Sequence, residues 1–341
     1  MIRNILHRVA YRAERVIDRF AQNRDSRRII EPYLGYAEPG HIVLRGRVLT
    51  ALRRNKPKPT QSRWTNFRQM VSLFMTDEVA DVAVEAEGFS TRTDEEGYFT
   101  LHLPILAKPG WSEYTVTIPD QSVSAVCPVM VPDRAADFGV ISDIDDTVLE
   151  TGAYSLLRNL WTSLTGNAMT RRIFPDAVAF LDDLHADGRN PVYFVSSSPW
   201  NLHHFLLRIF DLASLVRAPM FLRDLGVSED KFISGTHGSH KGSAVDLLMK
   251  ANPELAYVLV GDTGQHDASV YRDAIARHPG RVLAVVLREP GPGPDEEGKA
   301  AIRQIEGSGV PVFHAPGFEG FSDQIFALLP ATMAGNRSGQ G

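Results

Sequence analysis

The 341-residue sequence contains a single cysteine, Cys127. One thiol cannot form an internal disulfide, which excludes a disulfide-stapled secreted scaffold and favours a reducing compartment. No apolar run approaches the roughly 20 residues that a membrane-spanning helix needs. The N-terminus carries charges throughout and so lacks the apolar stretch of a secretory signal peptide. We therefore expect a cytoplasmic protein that is not integral to a membrane.

An excess of positive charge is also absent, because 36 basic residues face 41 acidic residues and leave a net charge of −5. This balance opposes binding of the whole surface to nucleic acid or to an anionic membrane. The composition, 43% hydrophobic and 23% charged, is that of an ordinary globular protein of about two domains. We predict no nucleic-acid partner, and attraction to an anionic surface would need a local basic patch.

Two segments are candidates for such a patch. Residues 2–21 place apolar side chains three and four positions apart with arginines between them, which predicts an amphipathic helix within residues 1–28. This helix would either pack on the body of the protein or lie on a membrane. Residues 53–68 carry six basic residues and no acid, with Trp64 and Phe67 among them. Such a run is either a solvated loop or a surface for peripheral membrane contact.

Apolar residues recur with a period of two between about residues 41 and 130, for example at Phe99, Leu101 and Leu103. This period indicates strands with one buried face, and several short strands favour a small antiparallel β-sandwich, assigned to residues 29–134. Residues 94–97 predict a hairpin turn whose glycine has a positive φ. The stretch 90–99 resembles a turn of transthyretin-like accessory domains.

Apolar strands alternate with helices after residue 138, which predicts a parallel sheet with helices on both faces over residues 135–333. Residues 289–298, rich in Pro, Gly and acids, are expected to form a loop. The polar tail 334–341 is expected to be disordered. Active sites of such sheets form beyond the carboxyl ends of the strands, so the residues that end each apolar run are the candidates for function.

Carboxylates crowd two of these strand ends. Asp143, Asp145 and Asp146 lie at the end of the predicted strand 138–143. Asp262 and Asp267 follow the predicted strand 256–261. Like charges in one place raise one another's pKa and cost stability unless a cation neutralises them. A divalent metal is the simplest such cation, and oxygen ligands favour Mg²⁺.

Groups that bind anions accompany the carboxylates. Ser196 and Ser197 follow the second strand and offer hydroxyl donors, whereas Lys241 lies near the start of an apolar helix, where anions are favoured. Each of these features is weak when taken alone. Together, in this order along the chain, they predict a site that binds a phosphoryl group and a metal.

The order of these residues resembles the four motifs of the haloacid dehalogenase-like superfamily of phosphatases. The positions that match are Asp143, Asp145, Thr147, Ser196, Lys241, Asp262 and Asp267. The resemblance implies an α/β fold with a doubly wound parallel sheet, the haloacid dehalogenase-like Rossmannoid, here preceded by the small antiparallel β-sandwich domain.

The resemblance also implies a role for each residue. Asp143 would be the nucleophile that forms an aspartyl-phosphate, and Asp145 would be the general acid and base. Phosphate would be bound by Lys241, together with Thr147, Ser196 and Ser197. Mg²⁺ would be held by Asp143, by the main-chain carbonyl of Asp145 and by Asp262, with Asp267 ordering a metal-bound water.

A narrower resemblance rests on Ser-Pro-Trp at residues 198–200 and Gly-Gln-His-Asp at residues 264–267. These strings are similar to those of the actin-patch phosphatidate phosphatase family and its bacterial relatives. The resemblance implies Mg²⁺-dependent release of phosphate from phosphatidate, giving diacylglycerol. Asp146 stands where lipin-type phosphatidate phosphatases have glycine, so the chain is not placed with them. A tail that binds actin-associated proteins is not evident.

Two other functions stay open. The segments between the motifs leave no room for a globular lid, and an open site also suits a soluble phosphometabolite or a phosphoprotein. A phosphate-binding scaffold without catalysis belongs to a different class of protein. It is disfavoured because every expected catalytic position carries the required residue.

Replacing Arg53, Arg54, Lys56 and Lys58 by Ser is expected to weaken binding to anionic vesicles by up to about 4 kcal/mol, because each basic residue near such a surface contributes about 1 kcal/mol. Sedimentation with vesicles at low and high salt measures this loss, which should be larger at low salt. Unchanged sedimentation would reject residues 53–68 as the docking surface and leave residues 2–21 as the next candidate.

Overall fold

The computed structural model describes residues 28–50, 79–150, 173–223, 237–291 and 293–330. The predicted amphipathic helix at 2–21, the basic segment 53–68 and the tail 334–341 lie outside the described residues. Among the residues described, no helix combines the length and the apolar character needed to cross a bilayer.

Seven strands of the described residues form one hydrogen-bonded sheet in the order β4-β3-β6-β7-β1-β2-β5. Their bounds are β1 Arg28–Glu38, β2 His41–Thr50, β3 Ala83–Ala86, β4 Phe89–Arg92, β5 Tyr98–Leu103, β6 Gly110–Ile118 and β7 Val123–Val131. Strand β3 is antiparallel to β4 and β6, whereas β1 and β7 are parallel. The predicted period of two is confirmed, since Phe99, Leu101 and Leu103 are all buried. The predicted sandwich is thus supported in its strands, but its pairing is mixed rather than purely antiparallel.

The turn at residues 94–97 forms as predicted, with Gly97 at a φ of 80°. The Asp94 N–H donates to the Tyr98 carbonyl at 2.9 Å and closes the turn. The flanking strands do not form a hairpin with each other, because β4 and β5 stand at opposite ends of the strand order. Local turn chemistry therefore predicted the bend but not the partners of the strands that it joins.

The remaining described elements form a fully parallel six-stranded sheet, in the order β10-β9-β8-β11-β12-β13, and the helices around it. The strands are β8 Gly139–Ser142, β9 Val192–Pro199, β10 Met220–Arg223, β11 Tyr257–Asp262, β12 Val282–Arg288 and β13 Val312–Ala315. The helices are α1 Pro175–His185, α2 His203–Leu212, α3 His237–Ala251, α4 Asp267–Arg277, α5 Glu296–Gly307 and α6 Phe321–Ala327.

Alternate residues of the parallel strands enter two separate cores. Ile141 and Leu259 pack with the buried residues of α3, α4 and α5, whereas Val140 and Val260 pack with those of α1, α2 and α6. A strand that is buried on both faces has this pattern, because successive side chains point to opposite sides of the sheet. The predicted doubly wound parallel sheet is confirmed.

The chain reverses direction across the sheet at β8. It moves from β8 outward through β9 to β10, and then returns to place β11 on the other side of β8. Such a switch point opens a crevice at the carboxyl ends of the central strands, where ligands of open α/β sheets bind. Asp143 directly follows β8 and therefore lies at this crevice.

Part of the predicted loop at residues 289–298 is helical. Helix α5 begins at Glu296, and the Asp295 side chain accepts a hydrogen bond from the Gly298 N–H at 2.8 Å. An aspartate in that position satisfies an N–H group that has no partner within the helix, so an acidic, glycine-containing segment can start a helix. Composition alone did not show that Asp295 is the N-cap of a helix and not part of a loop.

Two compact units divide the described residues. One holds those within 1–32, 46–100 and 115–126, and the other holds those within 33–45, 101–114 and 127–341. The domain limits expected from the sequence, at residues 28, 134 and 333, stay predictions.

Gly97→Ala is expected to lower the free energy of unfolding by about 2–4 kcal/mol, because left-handed strain adds to a steric clash. A Cβ at this position would lie 2.5 Å from the Val48 carbonyl oxygen. Gly88 is the matched control, since its φ is 81° and a Cβ there would meet no atom within 4 Å. Gly88→Ala should cost only about 1 kcal/mol. Equal losses for the two variants in chemical unfolding would contradict the close approach at Gly97.

Candidate active site

Two acidic strand ends and the starts of two helices meet beyond the parallel sheet. Strand β8 pairs with both β9 and β11, so the residues that follow these strands converge at one edge. Asp143 follows β8, Asp262 ends β11, and Asp267 is the first residue of α4. Lys241 lies in the first turns of α3. The structure therefore brings together four residues that the sequence had placed up to 124 positions apart (267 − 143 = 124).

The loop after β8 holds Asp143 in a defined position. The Asp143 N–H donates to the Val260 carbonyl at 2.8 Å, which extends the β8–β11 ladder by one residue. Two further N–H groups, of Val148 and Leu149, donate to the Ile144 carbonyl at 3.0 and 2.9 Å. The chain turns back because Asp146 adopts a left-handed conformation, with a φ of 59°. The result is a tight turn at residues 143–149 with the carboxylate at its start.

Lys241 lies between two of the carboxylates. Its Nζ is 2.8 Å from Asp143 Oδ1 and 2.5 Å from Asp267 Oδ1, and all three side chains are buried. Asp267 Oδ2 accepts the Asp262 N–H at 3.1 Å. This close approach requires Gly261, because a Cβ there would lie 2.5 Å from the same oxygen. One ammonium is thereby shared by Asp143 and by the first residue of α4.

One ammonium does not neutralise three buried carboxylates. Burial raises the pKa of Asp143 well above its ordinary value, and Asp267 adds to the rise while Lys241 opposes it. Burial and then Asp267 raise the pKa of Asp262 to about 8. Burial alone would lower the pKa of Lys241, but the attraction of Asp143 and Asp267 outweighs it and raises that pKa. The cluster therefore carries an excess of negative charge when all of its carboxyl groups are ionised.

The cluster has the donor set of a divalent cation site. Asp143, Asp262 and Asp267 each offer a carboxylate oxygen, and these three atoms lie within 4.8 Å of one another. Asp262 Oδ1 accepts the Gly264 N–H, whereas Asp262 Oδ2 is buried and has no hydrogen-bond partner among the described residues. A buried carboxylate oxygen without a partner is costly, and a hard cation satisfies it. The residues present therefore fit a divalent metal.

Asp145 points to a different set of partners. Its Oδ2 accepts hydrogen bonds from the hydroxyls of Ser196 at 2.6 Å and of Ser198 at 2.9 Å. The Asp145 main-chain carbonyl, expected to face the metal, accepts a hydrogen bond from Gln265 Nε2 at 3.3 Å. A carboxylate two residues after Asp143 is thus held separately from the cluster, with its second oxygen left for other contacts.

The groups expected to bind phosphate are placed as follows. Thr147 is buried and its Oγ1 donates to Asp143 Oδ2 at 3.3 Å. The Ser196 hydroxyl is engaged with Asp145, and its Oγ also accepts the Ser198 N–H at 2.8 Å. The Ser197 hydroxyl makes no hydrogen bond to any described residue. Phosphate binding by Thr147, Ser196 and Ser197 stays a prediction.

Three residues that support the site are not among the predicted site residues. Ser198 is the second hydroxyl on Asp145. Gln265 links the Asp145 carbonyl and, at 3.1 Å, the Asp146 carboxylate. Arg288 is buried at the carboxyl end of β12 and donates to the Thr147 carbonyl at 2.9 Å. Arg288 could have been found by the rule that singled out the other strand ends, because it is the polar residue that closes an apolar run.

Part of the chain that contains this site is similar to a known protein family. Residues 138–289 match the family model described as phosphatidate phosphatase APP1, catalytic domain. Over these residues the chain is similar to the catalytic domain of that phosphatase family. The matched range begins just before β8 and ends just after β12, so it contains every residue of the carboxylate cluster.

Two curated relatives match part of this chain. Phosphatidate phosphatase APP1 of Saccharomyces cerevisiae is 26% identical over 150 residues, which are 44% of this chain and 25% of that protein. An uncharacterized protein of Schizosaccharomyces pombe is 28% identical over 235 residues, which are 64% of this chain and 37% of that protein. The chain therefore spans well under half the length of these relatives.

A solved structure, the HAD domain of the effector protein Lem4 from Legionella pneumophila as an inactive mutant, covers 51% of this chain and 94% of its own. It is 17% identical, with a TM-score of 0.32. At that score the likeness adds nothing to the assignment, which rests on the family model and the relatives.

Asp262→Asn is expected to stabilise the metal-free protein above pH 8 and to destabilise it relative to wild type when Mg²⁺ is present. The pKa of Asp262 is raised on folding, so the folded state holds its proton more tightly, and stability is lost as pH rises from about 4 through about 8. The amide removes that charge, but it also removes a metal ligand and with it the stabilisation by bound cation. Thermal unfolding at pH 8.5, with chelator and with excess Mg²⁺, measures both effects, at about 2–4 °C for each kcal/mol.

Lys299→Gln is a suitable control, because its salt bridge to Glu296 lies on the exposed surface of α5. Its unfolding temperature should respond to Mg²⁺ as that of the wild type does. A wild-type protein that gains no stability from Mg²⁺, Mn²⁺ or Ca²⁺ would contradict a metal site at this cluster.

Proposed function

We propose that this chain is a Mg²⁺-dependent phosphomonoester hydrolase that works through an aspartyl-phosphate on Asp143, with phosphatidate as its substrate. The observation that carries the proposal is the convergence of Asp143, Asp262, Asp267 and Lys241 beyond the carboxyl end of β8. A carboxylate poised among a cation and further metal-binding carboxylates suits attack on a phosphoryl group, whose negative charge must be balanced.

Asp143 is held for such an attack. Lys241 contacts one of its oxygens and Thr147 the other, so the orientation of the carboxylate is determined on both sides. An oxygen of Asp143 would form a bond to phosphorus as the bond from phosphorus to the substrate alcohol oxygen breaks. Lys241 is a fixed cation next to the transferred group and stabilises the charge that its oxygens carry.

The metal ligands would be Asp143, Asp262 and the Asp145 carbonyl, with Asp267 ordering a coordinated water. Bound Mg²⁺ would supply charge neutralisation for the transferred phosphoryl group. Asp267 also has a role that needs no metal, since it holds Lys241 and the Asp262 N–H in place.

Asp145 would move the protons in both halves of the reaction. In its protonated form it gives a proton to the departing alkoxide, which leaves as the alcohol. As a carboxylate it then takes a proton from the water that attacks the aspartyl-phosphate, releasing inorganic phosphate and restoring Asp143. Ser196 and Ser198 hold Oδ2 of Asp145, which leaves Oδ1 for these transfers.

Phosphatidate is the proposed substrate because the matching family model and the Saccharomyces cerevisiae relative both carry that activity in their descriptions. Its hydrolysis gives diacylglycerol and phosphate. A lipid substrate requires contact with a membrane surface, for which residues 53–68 or 2–21 are the candidates, in a cytoplasmic protein that binds the membrane peripherally. Both segments lie outside the described residues.

Wild-type protein is expected to release phosphate from phosphatidate in mixed micelles, with full dependence on Mg²⁺. Asp143→Asn should lose activity by several powers of ten, because it removes the nucleophile. Asp145→Asn should lose about 10²–10⁴-fold, the usual contribution of general acid–base catalysis. The measurement is phosphate release over a panel that contains phosphatidate, soluble phosphometabolites and a phosphopeptide.

Ser308→Ala is a control for handling and expression, because its hydroxyl bonds only within the end of α5, to the Ile305 carbonyl. It should keep wild-type activity. Preference for a soluble member of the panel would replace phosphatidate as the substrate and keep the mechanism. Activity retained in Asp143→Asn would refute the mechanism itself.

A further inference from the structure

The Arg288 side chain contacts the turn at residues 143–149 and two other parts of the α/β domain. Its Nε donates to the Thr147 carbonyl at 2.9 Å, its Nη1 to the Pro316 carbonyl at 2.8 Å and its Nη2 to Asp176 Oδ2 at 2.6 Å. The residue is 3% exposed. A guanidinium with donors in a fixed fork is suited to several acceptors in one plane, which an ammonium cannot match.

Two aromatic rings also pack against the guanidinium. Its central carbon lies 4.1 Å from the ring centroid of Phe174 and 4.3 Å from that of Phe318. Asp176, its ion-pair partner in the first turn of α1, also accepts the Phe318 N–H at 2.9 Å. The Arg288 side chain therefore has little freedom to move, and the position of the Thr147 carbonyl is defined by a rigid donor.

The main chain of the same residue contacts the metal-binding strand end. Arg288 pairs with Asp262 in the β11–β12 register, and its carbonyl accepts the Thr263 N–H at 2.9 Å. One residue thus bonds through its backbone to the strand end that carries Asp262 and through its side chain to the turn that carries Asp143.

Thr147 connects Arg288 to the Asp143 carboxylate. The Thr147 hydroxyl donates to Asp143 Oδ2, and the direction of that hydroxyl depends on the backbone of residue 147. In the described residues, main-chain groups bond to the turn from within it, between Ile144, Asp146, Val148 and Leu149, and from Val260 and Phe174. Gln265 also donates to the Asp145 carbonyl. Arg288 adds a charged side chain that joins the Thr147 carbonyl to the end of β12, which pairs with the end of β11.

We propose that Arg288 is a positioning residue that sets the distance and direction of the Asp143 carboxylate relative to Asp262. It touches neither substrate nor metal and acts through Thr147. This inference deepens the proposed function and rests on it for the kinetic part of its test. A misplacement of about 1 Å in an active site can cost about 10²-fold in rate, so loss of this link should act on the chemical step.

Arg288→Lys keeps the charge beside Asp176 but cannot reach all three acceptors. On a soluble phosphomonoester such as p-nitrophenyl phosphate, kcat should fall about 10–100-fold with KM within about twofold, the pattern expected when an interaction matters mainly in the transition state. Hydrogen–deuterium exchange should be faster at the amides of Val148 and Leu149, which bond to the Ile144 carbonyl inside the turn.

The chain offers a matched control at the other end of the same strand. Arg281 precedes β12, and its guanidinium donates to the carbonyls of Leu255, Met249 and Asn252, far from the site. Arg281→Lys should lose a similar amount of stability in thermal unfolding while kcat and exchange of the turn stay at wild-type values. A purely structural role for Arg288 would make the two variants behave alike, and that result would overturn the proposal.

A double variant covers the case in which Arg288→Lys does not fold. Arg288→Gln with Asp176→Asn removes both partners of the buried ion pair, so no charge is left alone in the core. The same kinetic and exchange changes are expected. If wild-type protein turns over no phosphomonoester, the proposed function fails, and the exchange comparison still decides the inference: faster exchange at residues 148 and 149 supports it, and unchanged exchange refutes it.

Discussion

The site depends on the burial of one ammonium among carboxylates. Lys241 joins Asp143 to Asp267, and Asp267 in turn fixes the backbone of Asp262. Three elements that are distant in sequence, the turn after β8, the end of β11 and the start of α3, are thereby held at one point. Replacing the Lys241 ammonium alone, or the carboxylates alone, would leave the remaining charge buried without a partner. Such a charge costs several kcal/mol in a protein interior.

The excess of negative charge at this point ties stability to function. Among the described residues, one oxygen of Asp262 has no hydrogen-bond partner, and burial raises the pKa of both Asp143 and Asp262. An arrangement optimised for stability alone would not keep these carboxylates close together and buried. A divalent cation would relieve their repulsion, so the strain is consistent with a site that is complete only when a cation is bound.

Much of this arrangement was predictable from the sequence. The apolar runs predicted the parallel strands and their two buried faces, because a strand covered on both sides must be apolar at successive positions. The switch-point rule then located function at the strand ends, and Asp143, Lys241, Asp262 and Asp267 do converge there. These inferences succeeded because each depends on local sequence or on a general rule of topology.

Other features were decided by the tertiary structure alone. The Ser196 hydroxyl meets Asp145, 51 positions away, and Arg288 meets Thr147, 141 positions away, through side-chain directions that no local pattern encodes. The pairing of β1 with β7 and the separation of β4 from β5 likewise follow from which strands pack together. The sequence by itself determined the chemical groups and the strand ends that carry them. Which donor meets which acceptor was decided by the fold, because a hydrogen bond requires a distance and an angle that only the assembled chain defines.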